Sequence, residues 1–369
     1  MSYTILMSKT IKILFVVERL RGQGGMENVT RIVVEQLNNT KYFNAGLFIL
    51  DSKEPVTSGD WSDGIQWAVS KCVTRNKKIT NLAHVIRLAM FIRKHKITYV
   101  VALNTIPCLL ARKALNLSRQ KGILYSWMHL PPKQRYRPHY LLKADEHLAI
   151  SNEIKQQLVD LGAGAEQIHV IYNPVASTSS SIRRPSIARF LFIGRIHFED
   201  QKQLKDLFDA LKNVKGLWAL DVVGDGCDLA LCQTYSKQIG ISERIHWHGW
   251  QKSPWDYVQN VIQEVTCLVL TSNHEGFPLT LLEAMSRGVF CISSDCISGP
   301  SEIISEGVNG LLYKVNDVAQ LTNLLQKIVD GYAFPSTDIV KASVKSFYLP
   351  YYMERLVKIM TREEDSAKH

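Results

Sequence analysis

The chain has 369 residues, 46% hydrophobic and 21% charged, a globular composition with enough length for two domains and too little polarity for extensive disorder. No apolar run nears the ~20 residues of a spanning helix, and the start lacks a signal-peptide layout, so a cytoplasmic protein is expected. Forty-four Lys and Arg against 34 Asp and Glu leave a net charge of +10, which suits nucleic acid, an anionic membrane or a phosphorylated substrate, or simply a solvated basic surface.

In chain order, short Val-, Ile- and Leu-rich runs at 11–17, 45–50, 98–103, 123–129 and 146–151 read as strands. Helical spacing of apolar residues occupies 27–37, 82–94, 107–117 and 152–161, with Ser151 as the N-cap of the last. A Ser-rich stretch, 175–185, has the composition of a linker. Alternation then restarts, with strands at 190–194, 218–224, 245–249, 267–272 and 289–295. Helices are expected at 203–211, 229–239, 254–264, 279–287 and 318–329. Alternation of this kind implies two doubly wound α/β domains, 1–175 and 186–345, with ligand at the carboxyl ends of the strands. Residues 346–369 form a C-terminal helix and polar tail expected to pack back on the first domain. Met7 offers an alternative start, and 361–369 is expected to fray.

Seven scattered cysteines form neither a C-x-x-C pair nor a zinc-like cluster with His, so reduced core thiols and no metal site are expected.

The chemistry concentrates in the second half. The strand 267–272 runs into Glu275-Gly-Phe-Pro-Leu-Thr-Leu-Leu-Glu283. Gly276 frees the backbone, Pro278 suits a first helical turn, and the first helix amides can meet a phosphate. Carboxylates accept hydrogen bonds, so Glu275 and Glu283 suit sugar hydroxyls. Each is otherwise a carboxylate at a helix dipole or on a solvated face. Gly194-Arg195 ends another strand, and Lys202 follows seven residues after the arginine; together these cations would neutralise a diphosphate. Val223-Gly-Asp-Gly226 is a strand-end turn in which Gly224 allows close backbone approach to a ligand. Trp250, after Gly249 at a strand end, could face a base, but reads rather as a buried core indole. In the first half, Arg21-Gly-Gln-Gly-Gly-Met26 follows a strand without completing a dinucleotide fingerprint, and its Gly24-Gly25 pair would admit a donor phosphate or an acceptor. His129, at a strand end, can contact a sugar hydroxyl or be structural. The stretch 131–143 interleaves Lys133, Arg135, Arg137, His139 and Lys143 with Tyr136 and Tyr140, which suits an acceptor or anionic membrane face, or a plain basic loop.

These residues carry a family resemblance. The Glu275-to-Glu283 motif, Gly194-Arg195, Lys202 and Gly24-Gly25 resemble the retaining glycosyltransferases of family 4. That resemblance implies a GT-B fold, two Rossmann-like domains facing a cleft. His147-Leu-Ala-Ile-Ser151, Val170-Ile-Tyr-Asn-Pro-Val175, Lys205-Asp-Leu-Phe-Asp209, Leu281-Leu-Glu-Ala-Met-Ser-Arg-Gly288 and Cys291-Ile-Ser-Ser-Asp-Cys296 with Ser298-Gly-Pro300 narrow it. They resemble the enterobacterial branch that moves galactose from UDP-galactose to a glucose of the lipopolysaccharide core in α-1,6 linkage. The likeness implies no metal or other cofactor, a peripheral place on the inner leaflet of the bacterial inner membrane, and catalytic roles for Arg195, Lys202, Glu275 and His129. Arg195 and Lys202 would hold the diphosphate and Glu283 the ribose. Glu275 and the amides of Phe277, Leu279 and Thr280 would hold hexose and phosphates, Pro278 having no N–H to give. Lys202→Ala is expected to abolish turnover in a protein that stays folded. The alternatives are a family 4 enzyme using UDP-glucose, a sugar-nucleotide epimerase of the same architecture, or a non-catalytic nucleic-acid-binding protein, although no helix carries a basic stripe.

Overall fold

The computed structural model describes residues 10–18, 24–51 and 61–361. The alternative start at Met7, the Arg21–Gln23 part of the glycine loop and the tail from 362 lie outside the described residues. The chain divides into two compact units, Met1–Tyr172 with Met353–His369, and Asn173–Tyr352.

The first unit is built on seven parallel strands: β1 (Ile11–Glu18), β2 (Phe43–Leu50), β3 (Gln66–Ser70), β4 (Tyr99–Ala102), β5 (Ile123–Met128), β6 (Glu146–Ala149) and β7 (Ile168–Val170). Their order is β3-β2-β1-β4-β5-β6-β7. The middle strands are buried throughout Ile13–Val17 and Tyr99–Ala102, as continuous apolar runs in a parallel sheet require. β3 and β7 escape a pattern reading because they are short and lie at the sheet edges, where a five- or three-residue run carries little periodicity. The helix expected at 82–94 spans Lys77–His95, because Asn76 caps it by accepting from the Lys78 amide at 2.9 Å although its first turn is polar. Ser151 caps Asn152–Asp160 as expected, accepting from the Ile154 amide at 3.1 Å.

The second unit has six parallel strands: β8 (Ala188–Ile193), β9 (Trp218–Val223), β10 (Ile245–Gly249), β11 (Cys267–Leu270), β12 (Phe290–Ser294) and β13 (Gly310–Tyr313), in the order β10-β9-β8-β11-β12-β13. Asp221, fully buried in β9, accepts from Nε and Nη2 of Arg189 of β8 at 2.5 and 3.0 Å and meets His248 of β10 at 2.7 Å. Two expectations fail here. The Ser-rich stretch 175–185 is not a free linker: Val175 bridges Tyr348, Arg183 bridges Glu264, and buried Ile182 donates to the Arg287 carbonyl at 3.0 Å. The chain instead changes unit at Tyr172–Asn173. The helix expected over 254–264 is one α turn, Pro254–Tyr257, followed by a π-helical turn, Val258–Ile262.

Candidate active site

In the second unit the strand order reverses between β8 and β11, the point where an open α/β sheet offers a crevice at its carboxyl edge. β8 runs out into Gly194-Arg195 and β11 into Thr271–Glu275. Neighbouring strand ends are laced together: Gly194 N donates to the Val223 carbonyl at 3.1 Å, Ile196 N to Asp225 at 3.0 Å, and Gly224 N to Gly249 at 2.8 Å. Gly224 has φ 148°, and a β-carbon on it would stand 1.8 Å from the Gly194 oxygen. The close approach that the Val223–Gly226 turn permits is therefore to its neighbouring turn.

Lys202 is fixed before its side chain acts. Thr271 Oγ1 donates to the Lys202 carbonyl at 2.7 Å, Asn273 N to the Gln201 carbonyl at 2.9 Å, and Gln201 Nε2 to the His274 carbonyl at 3.2 Å. From there the chain of Lys202 passes Gly194, and its Nζ donates to Glu275 Oε1 at 2.7 Å. Ser272 Oγ donates to the same oxygen at 2.6 Å. The two charged side chains keep only 13% and 10% of their surface, so this is a largely desolvated ion pair. Oε2 of Glu275 makes no hydrogen bond among the described residues and remains an acceptor for a ligand hydroxyl. Arg195, at the strand end, is exposed and makes no hydrogen bond or ion pair among the described residues. Sequence spacing treated Lys202 and Glu275 as separate contacts; folding makes them one unit.

The Glu275 loop leans on the segment after β12. Glu275 N donates to the Ile297 carbonyl at 2.7 Å, Ser298 N to the Glu275 carbonyl at 3.0 Å, and Ser298 Oγ to the Gly276 carbonyl at 2.5 Å. Gly299, at φ 101°, lies so close that a β-carbon would meet Pro278 Cδ at 2.9 Å. The signal of this contact in the sequence is Ser298-Gly-Pro300, four residues after β12. Asn173 Nδ2 reaches the Phe277 carbonyl at 3.3 Å. The following helix is Leu279–Met285, shorter than expected, and Thr280 lies in its first turn. Pro278 is its N-cap and not a first-turn residue, because its ψ of 100° is extended.

Glu283 lies on that helix, and it is not a solvated carboxylate. Trp255 Nε1 donates to its Oε2 at 2.9 Å, while Arg287 holds its carbonyl at 2.9 Å and stacks 5.0 Å above the Trp255 ring. Burial raises the Glu283 pKa, with the Trp255 bond and Arg287 opposing. Trp250 corrects another expectation: it is 57% exposed, because the backbone turns out of β10 at Gly249, φ 66°.

The remaining expected residues belong to the first unit. Gly24 is the N-cap of Gly25–Asn39. His129 is buried beside Trp127, ring centroids 4.4 Å apart, and its Nε2 has no hydrogen-bond partner among the described residues. Burial pushes its pKa down to about 3, so the ring is neutral at ordinary pH. Lys133 pairs with Asp160 at 2.8 Å, and Arg135 Nε donates to Asn104 Oδ1 at 3.4 Å. Arg137 stacks on Tyr136 and Tyr140, at 5.1 and 5.7 Å, and donates to the Tyr140 hydroxyl at 2.5 Å. No helix among the described residues is long and apolar enough to cross a membrane.

Two Rossmann-like units, with a buried Lys–Glu pair beside a Gly-Arg strand end, define a glycosyltransferase of GT-B type. The family described as "Glycosyl transferases group 1" matches residues 183–341. Lipopolysaccharide 1,6-galactosyltransferase of Escherichia coli K12 is 38% identical over 95% of this chain and 98% of its own. The solved lipopolysaccharide outer core galactosyltransferase WaaB superposes with a TM-score of 0.89 at 36% identity, covering 96% of this chain and 100% of that one. Anabaena HepE, solved with UDP, shares the fold at 17% identity and TM-score 0.77, over 95% of this chain and 100% of its own. The chain belongs to the group 1 glycosyltransferases, in the family of the lipopolysaccharide 1,6-galactosyltransferases.

Proposed function

We propose that this protein transfers galactose from UDP-galactose to a glucose of the lipopolysaccharide core, in α-1,6 linkage and with retention. The Lys202–Glu275 pair at the switch point of the second sheet, in a chain alike to such enzymes along 95% of its length, carries the reading. Glu275 Oε2 accepts from galactose hydroxyls. The amides of Phe277, Leu279 and Thr280, with Gly194 and Gly276 giving backbone room, meet the phosphates. Glu283, oriented by Trp255, accepts from the ribose. The acceptor oxygen bonds to the anomeric carbon on the face from which UDP departs, and the hydroxyl proton passes to a leaving phosphate oxygen. Lys202 and Arg195 stabilise the charge that develops there, a role open to two cations without a metal. His129, as neutral imidazole, can both donate to and accept from a sugar hydroxyl. Lys133, Arg135, Tyr136, Arg137 and Tyr140 face the acceptor and the anionic inner leaflet of the membrane.

Incubation with truncated lipopolysaccharides and labelled UDP-galactose or UDP-glucose tests this, the new linkage being read by NMR. A 1,6-linked galactose supports it. Transfer of glucose only, or release of free sugar with no acceptor product, overturns it.

A further inference from the structure

The helix Lys77–His95 of the first unit is apolar on two opposite faces. One face belongs to the core, where Thr80, His84, Val85, Leu88, Ala89 and Ile92 are buried. On the other, Ile79, Leu82, Ile86 and Met90 are 52, 60, 42 and 59% exposed. Steps of three, four and four residues set these four side chains in one stripe along the helix. From Ile79 to Met90 the stripe runs about 16 Å, at the helical rise per residue. Two other long helices show the usual outcome. Their exposed positions include Asn28 and Asn38 on Gly25–Asn39, and Gln320, Asn323 and Lys327 on Val318–Val329. Single exposed apolar side chains are ordinary, whereas four in line form a patch that water covers at a cost.

Charge around the stripe has one sign. Residues 64–144 include this helix and the helix Thr105–Ser118 packed against it, and they hold sixteen Lys and Arg and no Asp or Glu. The net charge of +10 is therefore concentrated here, and the rest of the chain is net acidic. Lys78 stands at the N-terminal end of the stripe, Arg93 and Lys94 at its C-terminal end. All three are exposed, and their side chains make no hydrogen bond or ion pair among the described residues. Cations at both ends of an apolar stripe suit a helix lying in the plane of a bilayer. Its apolar side chains then reach below the headgroups while Lys and Arg meet the phosphates. A second copy of the chain would instead set a stretch of the same charge against the first, which repels.

We propose that the exposed face of Lys77–His95 docks the first unit on an anionic phospholipid surface. Ile79, Leu82, Ile86 and Met90 enter the boundary between headgroups and acyl chains, and Lys78, Arg93 and Lys94 lie against lipid phosphates. The inference rests on the proposed place of the protein at a membrane, not on which sugar it transfers, and its surface is distinct from 131–143. Docking requires no folding of the segment, because the opposite face of the helix is already fixed in the core, so little ordering opposes it.

The test is flotation of the intact protein with phosphatidylcholine vesicles, with and without phosphatidylglycerol. It is run on the wild type, I79Q/L82Q/I86Q/M90Q, K78Q/R93Q/K94Q and, for comparison, R135Q/R137Q. Gln keeps helix propensity, so both helix variants should melt within about 4 °C of the wild type by circular dichroism. A much lower Tm would show that the stripe is packed and not free, which overturns the proposal. The wild type should bind anionic vesicles about tenfold more tightly than neutral ones, or better. I79Q/L82Q/I86Q/M90Q should weaken binding to the anionic vesicles at least about tenfold. K78Q/R93Q/K94Q should do the same there, at roughly fivefold per cation near the surface, and leave binding to neutral vesicles unchanged. Binding kept by both helix variants but lost in R135Q/R137Q would place the contact at 131–143: this proposal then fails and the membrane reading stands. No binding of the wild type to either vesicle defeats both. A wild-type dimer in sedimentation that I79Q/L82Q/I86Q/M90Q dissolves would assign the stripe to a second copy of the chain instead.

Discussion

Removing Lys202 tests the centre of the site for stability and chemistry together. Lys202→Ala leaves Glu275 as a buried carboxylate whose remaining side-chain partner is Ser272, at 2.6 Å. Deleting one member of a buried ion pair costs about 3–5 kcal/mol. Since 13% and 10% of the two side chains stay accessible, the lower end, about 3 kcal/mol, applies. For a unit the size of Asn173–Tyr352 that lowers Tm by roughly 6–12 °C, against a total stability of about 5–15 kcal/mol, so the variant stays folded at 25 °C. Turnover should fall to about one per cent or less, as loss of one electrostatic stabiliser does elsewhere. The added variant Lys202→Ala/Glu275→Gln replaces the stranded charge with an amide and should recover at least about half of the lost stability while remaining inactive. Thermal unfolding by circular dichroism and a galactosyl-transfer assay on the three proteins give the comparison. Wild-type Tm and turnover in Lys202→Ala, or a double variant no more stable than the single one, would refute the reasoning.

Glu283→Gln should separate stability from function. The folded pKa of Glu283 lies above its ordinary 4.5, so the folded protein holds the extra proton and the cost of burying the charge grows as pH rises past that value. The variant should match or exceed the wild-type Tm at pH 8 and bind UDP about tenfold more weakly; a lower Tm at that pH counts against it. For His129 the sign is opposite: with a folded pKa of about 3 against 6.5, the unfolded chain takes up a proton that the folded chain lacks, and stability falls as pH drops below 6.5. His129→Asn should flatten that slope in urea titrations, leaving the part due to His147, itself lowered to about 4, and to His84, also lowered by burial; an unchanged slope would contradict the burial argument. Gly224→Ala should cost several kcal/mol and the donor site together, since its methyl would stand 1.8 Å from the Gly194 oxygen. A Tm within about 2 °C of wild type would show that the turns can part.

Much of this was legible in the chain itself. The central strands carry continuous apolar stretches, Ile13–Val17 and Tyr99–Ala102 in one sheet and Phe190–Ile193 and Cys267–Leu270 in the other, because a parallel strand is covered on both faces and needs no alternation. Strand-to-helix alternation fixed the class of fold; Arg195 and Glu275 stood out just beyond strand ends, Lys202 seven residues after Arg195, and Glu283 inside the helix that follows Glu275. Of the four edge strands, Ile245–Gly249 was legible and three were not: Gln66–Ser70, Ile168–Val170 and Gly310–Tyr313 are too short to show a period. Nor was the anchoring of 175–185, since a Ser-rich composition describes a free chain and says nothing of Val175 pairing with Tyr348 or Ile182 packing inward.

Local sequence, then, determined which residues were available for chemistry, through backbone freedom at glycines, helix starts and acceptor groups. Only the tertiary structure decided how they are joined. Lys202 and Glu275 are 73 residues apart and become one ion pair because β8 and β11 are neighbours across the strand-order reversal. The same holds for Glu18 and Asn104, 86 residues apart on β1 and just past β4. Desolvation follows from that joining: a carboxylate's pKa, or a histidine's neutrality, depends on what covers it, and the covering comes from elsewhere in the chain.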